Sequence, residues 1–115
     1  MRIRRHAIAA VLLGLGSLAA AGSADLERGR QAIAAYGCAS CHAIPGIPGV
    51  QGEVGPPLAR FGRRVYIAGV LPNTQAGLEH WILDPLSVNP RTAMPKLGLT
   101  QQEAHDAAAY LLQLR

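Results

Sequence analysis

The stretch that decides the fold is Cys38-Ala39-Ser40-Cys41-His42, which holds both cysteines of this 115-residue chain. Two thiols at this spacing can add across the two vinyl groups on one side of a haem, and a histidine directly after them can bind the iron. The motif therefore predicts one haem c, covalently attached through two thioethers at Cys38 and Cys41, with its iron bound by His42. The chain is long enough for one small domain, and an apolar cofactor would add to its thin core.

Three other interpretations of the cysteine pair compete with haem attachment. A redox-active Cys-x-x-Cys pair comes with a βαβ pattern, which this sequence lacks. A zinc site needs two further ligands, and after the first 24 residues only His80 and His105 remain, far apart in sequence. A structural disulfide across so short a loop would add little stability. A thiol protein without haem stays open as the alternative from another functional class.

Met94 is predicted to be the second iron ligand. It is the only methionine besides Met1, and it lies in a proline-bounded loop, Thr92-Ala93-Met94-Pro95, rather than on a helical apolar stripe. A thioether is a soft, neutral ligand that raises the reduction potential. His80 is the rival ligand and would give a lower potential, whereas His105 is expected at the surface.

The first 24 residues are typical of a signal peptide. Three arginines precede an apolar run from Ala7 to Ala21, and small residues at Gly22 and Ala24 fit cleavage before Asp25. An uncleaved membrane anchor is the alternative, although a spanning helix needs about 20 apolar residues. Either outcome places residues 25–115 outside the cytoplasm. We expect a periplasmic domain, soluble or tethered to the outer face of the inner membrane, with membrane contact only if the N-terminal segment is retained.

Charge and composition argue against nucleic-acid binding. The whole chain carries a net charge of +4, which falls to +1 when the arginines of the leader are removed. No basic cluster is interleaved with aromatic residues, as a single-strand platform would require. No paired carboxylates, Ser-His-Asp set or phosphate loop is evident, so we expect a protein that is not an enzyme in its own right.

The pattern after the leader predicts an all-α domain with three main helices and long loops rich in glycine and proline. The first helix is expected from Asp25 to Tyr36. The second is capped at Asn73 or Thr74 and ends at Leu83. The third opens at Thr100, with Glu103 completing a capping box.

The remaining segments are predicted to be loops. Residues 43–57 contain eight glycines and prolines and are expected to form an ordered loop wrapped around the cofactor. A short helical piece is expected over residues 58–66. Residues 85–99 contain three prolines and are expected to be extended and irregular. No convincing strand is predicted.

These features resemble the class I c-type cytochromes, the monohaem cytochrome c family, over nearly all of residues 25–115. The attachment motif comes early, Gly55-Pro56-Pro57-Leu58 resembles the family's Gly-Pro-x-Leu, and Met94 follows Pro85 by nine residues. A helix with an aromatic residue near its end closes the chain. The resemblance implies the small cytochrome c fold around one covalently attached haem.

The resemblance also implies roles for residues near the haem. The carbonyl of Pro56 would accept a hydrogen bond from Nδ1 of His42 and make the ring a better donor to iron. Leu58 and Ile82 would pack on the haem faces. Trp81 stands where many relatives have a tyrosine, and it would pack on the haem or donate its N–H to a propionate.

Other implied roles concern the propionates and the helix crossing. The hydroxyl of Thr92 would lie near a propionate, and either Arg63 or Arg64 would serve a propionate too. Where the first and last helices cross, the resemblance brings together three residues: Gly29, Tyr36 and Tyr110.

A haem with two protein ligands has no vacant position for substrate, so the resemblance implies a one-electron carrier. Its partners would be redox proteins of a respiratory chain, such as a terminal oxidase, a quinol-oxidising complex or a dehydrogenase, docking through small transient interfaces. Five basic residues could steer an acidic partner or could be scattered solubilising charge: Arg60, Arg63, Arg64, Arg91 and Lys96. A haem subunit of a respiratory complex, and a haem sensor or enzyme with a labile distal ligand, remain as alternatives.

Overall fold

The computed structural model describes residues 22–115, so most of the predicted signal segment lies outside the described residues. The elements there are four α-helices, two 3-10 turns and one antiparallel hairpin. In chain order they are α1 (Ser23–Ala35), a 3-10 turn (Cys38–Ser40), a second 3-10 turn (Phe61–Arg63), β1 (Tyr66–Ile67), β2 (Leu71–Pro72), α2 (Gln75–Leu83), α3 (Pro85–Val88) and α4 (Gln101–Leu112). The predicted three main helices are confirmed as α1, α2 and α4. Within residues 22–115, no helix is both long and apolar enough to span a bilayer.

The first and last main helices pack directly against each other because their facing residues are small. Gly29 of α1 is buried, and a Cβ placed on it would lie 2.2 Å from the backbone oxygen of Asp106 and 2.9 Å from Cβ of Tyr110. Three alanines of α4 that are at most 2% exposed complete this seam: Ala104, Ala107 and Ala108. The predicted approach of Gly29 to Tyr110 is therefore confirmed, whereas the hydroxyl of Tyr36 donates to Glu103, at 2.9 Å.

Side-chain caps fix where the helices begin. Thr100 and Glu103 form the predicted capping box, with the Glu103 N–H donating to Thr100 Oγ1 at 3.1 Å and the Thr100 N–H donating to Glu103 Oε1 at 3.0 Å. Thr74 caps α2 by accepting from the Gly77 N–H. Helix α1 begins two residues earlier than predicted because Gly22, just before it, donates its N–H to the Asp25 carboxylate.

Two sequence predictions about the connecting segments were wrong. The short helical piece expected over residues 58–66 is present as a 3-10 turn, but the prediction of no strand is wrong, because a hairpin follows that turn. Ala68 and Gly69 have positive φ angles of 50° and 70°, which form the tight turn that lets β1 and β2 pair. In the predicted irregular segment, Pro85 begins the single turn of α3, because its fixed φ suits a first helical position and its missing N–H is not needed there.

The Gly- and Pro-rich loop of residues 43–57 is held by hydrogen bonds to its own backbone and to α4. The side chain of Gln51 accepts from the Ile44 N–H at 2.6 Å and donates to the Ile47 carbonyl at 2.9 Å. The hydroxyl of Tyr110 donates to the Pro45 carbonyl at 2.6 Å. Ile44 and Ile47 are thereby buried in the core, so this loop forms part of the packed domain.

Candidate functional site

A cavity of about 600 Å³ opens between the Cys-His motif, the hairpin and the segment that carries Met94. This volume lies in the range of small-molecule and cofactor sites. Eight of the nine residues predicted for the cofactor site line it: Cys38, Cys41, His42, Pro56, Leu58, Trp81, Thr92 and Met94. The structure therefore brings together residues that are up to 56 positions apart in the sequence.

A tight turn at the end of α1 places the two thiols and the imidazole on this cavity. Gly37 has a φ of 71°, which ends the helix and starts the 3-10 turn. The carbonyl of Cys38 accepts from the N–H groups of both Cys41 and His42, at 3.2 and 3.0 Å. Both cysteines are half-buried, and no disulfide joins them.

Burial raises the pKa of the Cys38 thiol above its ordinary value. A redox-active Cys-x-x-Cys pair depends on the opposite shift, since its attacking sulfur must be a thiolate at neutral pH. The environment of Cys38 therefore argues against a thioredoxin-like exchange site.

The ring of His42 is fixed by the segment that follows the Gly- and Pro-rich loop. Nδ1 of His42 lies 2.7 Å from the carbonyl oxygen of Pro56, the contact expected from the sequence. Because a carbonyl can only accept, Nδ1 carries the proton and a neutral ring keeps its lone pair on Nε2. Gly55 lies against the same ring, and a Cβ added there would be 2.3 Å from Cε1 of His42. The structure thus leaves Nε2 as the nitrogen that can bind a metal.

Met94 lies in a loop shaped by side chains that bind nearby backbone groups. The hydroxyl of Thr92 accepts from the Met94 N–H at 3.1 Å, and Oδ1 of Asn89 accepts from the Arg91 N–H at 3.0 Å. These two local bonds fix the backbone on the N-terminal side of Met94. The methionine is half-buried and lines the cavity together with Thr92 and Asn89.

Of the two arginines considered for a propionate, Arg64 lines the cavity, whereas Arg63 is exposed and is not among the described residues that line it. The guanidinium of Arg64 lies 5.1 Å from the centre of the Phe61 ring and donates to the Pro57 carbonyl. Among the described residues that line the cavity outside the Cys-His motif, Arg64 is the only one with a charged side chain. It can therefore form an ion pair with an anionic group of a bound ligand, while the rest of the cavity wall is mostly apolar.

Ile82, which the resemblance places on a haem face, differs in its surroundings from the other expected contacts. Its side chain is 8% exposed and belongs to the helical core, and it is absent from the described lining of the cavity. Successive residues of an α-helix point about 100° apart, and Trp81 is the one of this pair that lines the cavity.

The rival ligand His80 lies away from the cavity. It is exposed, and its Nε2 lies 2.9 Å from the hydroxyl of Ser87. His80, Glu79 and His105 line a separate open depression between α2 and α4, where Nδ1 of His105 lies 3.1 Å from a Glu79 carboxylate oxygen. Among residues 22–115, no three side chains of His, Cys, Asp or Glu are arranged to hold a metal ion, so the zinc interpretation gains no support.

Several cavity residues escaped sequence reasoning because they belong to no motif. They are apolar residues from separate segments, namely Val54, Phe61, Ile67, Ala68 and Leu97. Val54 lies in the Gly- and Pro-rich loop that was expected to wrap the cofactor, and Leu97 follows Met94 in its loop. Phe61, Ile67 and Ala68 reach the cavity from the second 3-10 turn and the hairpin, and the hairpin was not predicted.

The residues present fit a haem. Two thiols, an imidazole whose Nδ1 is held by the Pro56 carbonyl and a thioether sulfur border one mostly apolar cavity, with a single guanidinium at its wall. Thiols, imidazole and thioether are the groups that attach and ligate haem c.

Comparisons with known proteins agree with this fit. Residues 26–115 match the protein family described as Cytochrome c. Three bacterial proteins named Cytochrome c oxidase subunit 2 are similar. The one from Alkalihalophilus pseudofirmus is 35% identical over 90 residues, which cover 77% of this chain and 25% of the relative.

The other two relatives are comparable. The protein of Bacillus sp. strain PS3 is 34% identical over 89 residues, covering 74% of this chain and 25% of the relative. That of Bacillus subtilis strain 168 is 31% identical over 84 residues, covering 68% and 24%. The chain therefore spans about a quarter of the length of these relatives.

Proposed function

Because this chain belongs to the cytochrome c family, we propose that it is an exported one-electron carrier in which Cys38 and Cys41 attach the haem c and His42 and Met94 bind its iron. Proteins of this family bind haem c covalently, and the bound group supplies an Fe(III)/Fe(II) couple. The observation that carries the proposal is that both thiols, the ring of His42, with its Nδ1 held by Pro56, and Met94 border one cavity.

Each residue of the site has a distinct part in this proposal. The carbonyl of Pro56 holds the proton on Nδ1 of His42, which orients the ring and increases electron donation from Nε2. Leu58 and Trp81 keep water from the cavity. Arg64 and the hydroxyl of Thr92 offer donors to the carboxylates at the haem edge. Ile82, which is buried and follows Trp81 in α2, is proposed to pack on a haem face when the haem is bound.

The compartment and the pathway are also proposed. Residues 1–24 act as a signal peptide or an uncleaved anchor, and residues 25–115 are the electron-carrying domain in the periplasm. The leader pattern supports export, and the names of the relatives support a partner in a respiratory chain. We propose that the protein is not itself an enzyme and passes electrons to or from a terminal oxidase, a quinol-oxidising complex or a dehydrogenase.

A second candidate function is that of a haem subunit of an oxidase complex. It is favoured by the relatives, which are all named as an oxidase subunit and are about four times as long as the region they share with this chain. The two candidates differ in how the protein behaves when membranes are extracted. A carrier separates from the oxidase at moderate salt, whereas a subunit purifies with it at a fixed ratio.

The test of the haem site is an optical spectrum of the exported protein, made in a host with haem-attachment machinery. We expect sharp reduced α and β bands and a weak long-wavelength band when oxidised, which arises from sulfur bound to iron. Met94→Ala should remove the weak band and lower the reduction potential, because a neutral thioether favours Fe(II).

His80→Ala is the matched control and should keep the weak band, since His80 faces a different surface. A spectrum that loses its ligand band with His80→Ala and not with Met94→Ala would reverse the assignment. Ready binding of carbon monoxide by the native protein would favour a sensor or enzyme. A colourless protein would show that no haem is attached and would favour a thiol function for Cys38 and Cys41.

A further inference from the structure

The outer face of the hairpin carries an exposed apolar cluster. Val65, Tyr66 and Val70 are 72%, 59% and 55% exposed, and we call these three residues the hairpin patch. They do not line the cavity among the described residues, so the proposed cofactor would not cover them. Exposed apolar residues are ordinary when scattered singly, but three within six positions on one hairpin concentrate apolar surface at one place in the fold.

The hairpin patch is presented on a fixed backbone. The Val70 N–H donates to the Ile67 carbonyl and the Asn73 N–H donates to the Val65 carbonyl, both at 2.9 Å. Ile67, next to Tyr66, is only 2% exposed and anchors the inner face. At the tip, a Cβ added to Gly69 would meet no atom within 4 Å, so this side of the turn faces open space, whereas Ala68 beside it lines the cavity. The patch is therefore a rigid projection and not a loosely packed loop.

The base of the hairpin is positively charged. Arg60, Arg63 and Arg64 lie just before it, and no acidic residue occurs between Glu53 and Glu79. Nδ2 of Asn73 donates to the carbonyls of Phe61 and Arg64, both at 3.0 Å, which holds the turn that carries these arginines against the base. Within residues 22–115, neither Arg60 nor Arg63 has a carboxylate partner.

We propose that the hairpin patch inserts into the headgroup region of a membrane rich in anionic phospholipid. Tyrosine and aliphatic side chains favour the membrane interface, and Arg60 and Arg63 at the base would meet the lipid phosphates. A narrow projection suits a fluid bilayer, whereas a typical protein interface needs about 800 Å² of complementary surface on each partner. This contact is additional to any membrane contact of the N-terminal segment and does not depend on the proposed electron transfer.

The test measures binding of the purified holoprotein to vesicles of mixed phosphatidylglycerol and phosphatidylcholine, against vesicles of phosphatidylcholine alone. We expect binding to the anionic vesicles only. The double variant Tyr66→Ser with Val70→Ser should bind about tenfold more weakly because apolar burial is lost. Arg63→Gln should bind about fivefold more weakly and depend less on salt. A variant combining Val50→Ser and Leu86→Ser removes exposed apolar residues elsewhere and should bind unchanged.

The result is interpretable whatever the state of the N-terminus. If an anchor holds every variant on the vesicles, a nitroxide at Tyr66→Cys should be accessible to oxygen and shielded from a water-soluble nickel chelate. The haem spectrum and the unfolding midpoint show whether the double variant is folded. If it is not, the vesicle affinity of Arg63→Gln tests the contribution of charge, and the nitroxide at Tyr66→Cys tests insertion.

Equal binding by the double variant, or a nitroxide exposed to water, would overturn the proposal. So would an unchanged vesicle affinity accompanied by slower electron exchange with an acidic redox protein, which would make the hairpin patch a protein-docking surface.

Discussion

Replacing Gly29 by alanine should weaken the packing of α1 on α4, although alanine is the better helix former. The new Cβ would lie 2.2 Å from the carbonyl oxygen and 2.8 Å from the carbonyl carbon of Asp106, and 2.9 Å from Cβ of Tyr110. The first two atoms are backbone, so no side-chain rotation removes the contact. The helices must move apart by about 1 Å to restore an ordinary separation.

The magnitude follows from two opposing effects. Overpacking a tight interface costs about 1–3 kcal/mol, and the upper end applies here because the obstruction is helix backbone. Replacing glycine by alanine within a helix raises the free energy of unfolding by about 1 kcal/mol through helix propensity. The net loss in free energy of unfolding is therefore about 2 kcal/mol, which lowers Tm by roughly 8–16 °C for a domain of this size.

Thermal and guanidinium unfolding of the holoprotein measure this effect. Ala34→Gly, at an exposed position of the same helix, is the matched control and should cost about 1 kcal/mol through helix propensity alone. If propensity governed both positions, Gly29→Ala would be more stable than the parent. A Gly29→Ala variant with an equal or higher Tm would therefore refute the close-packing argument.

Two further predictions concern ionisation and the histidine ring. The backbone N–H of Thr100, and then the Tyr36 hydroxyl, hold the pKa of Glu103 below its ordinary value of 4.5. The resulting stabilisation is present above that value and is lost as pH falls through the lower folded-state pKa. Glu103→Gln should therefore flatten the fall of Tm with pH in this acid range, and an unchanged profile would contradict it. Gly55→Ala places a Cβ 2.6 Å from Nδ1 of His42. The variant should break the hydrogen bond from His42 to Pro56 and lower the free energy of unfolding by about 2 kcal/mol. It should also raise the reduction potential, because His42 becomes a weaker electron donor to the iron. Voltammetry that shows an unshifted potential would count against this.

The sequence predicted the parts of the fold that depend on local chemistry. The capping box at Thr100 and the cap at Thr74 are contained within four residues, so each helix start could be read directly. The spacing of Cys38, Cys41 and His42 likewise lies within one turn of the chain, so it indicates haem attachment without any long-range contact. The resemblance added the contact of His42 with Pro56, which lies 14 residues away and has no local signal.

The predictions that were wrong depended on long-range or conformational effects. Nothing in the pattern around Ala68 indicated a positive φ, because residues other than glycine rarely adopt it, and so the hairpin was not predicted. Arg64 could not be separated from Arg63 because a one-residue shift along a 3-10 turn reverses which side chain faces inward. The direction in which Ile82 points depends in the same way on how α2 rotates against α4, which the sequence pattern does not give.

The proposed ligands share a structural feature that bears on function. Each lies on backbone that other residues have already fixed: His42 follows the turn closed by the Cys38 carbonyl, and Met94 follows the bond to Thr92. The polar groups that shape these segments bind backbone atoms within the segments themselves. A one-electron carrier benefits from this arrangement, because small changes in ligand position between redox states mean little reorganisation. Substituting a ligand side chain should therefore change the spectrum and the potential far more than it changes the fold, whereas substituting a residue that fixes the backbone, such as Gly55, should change both.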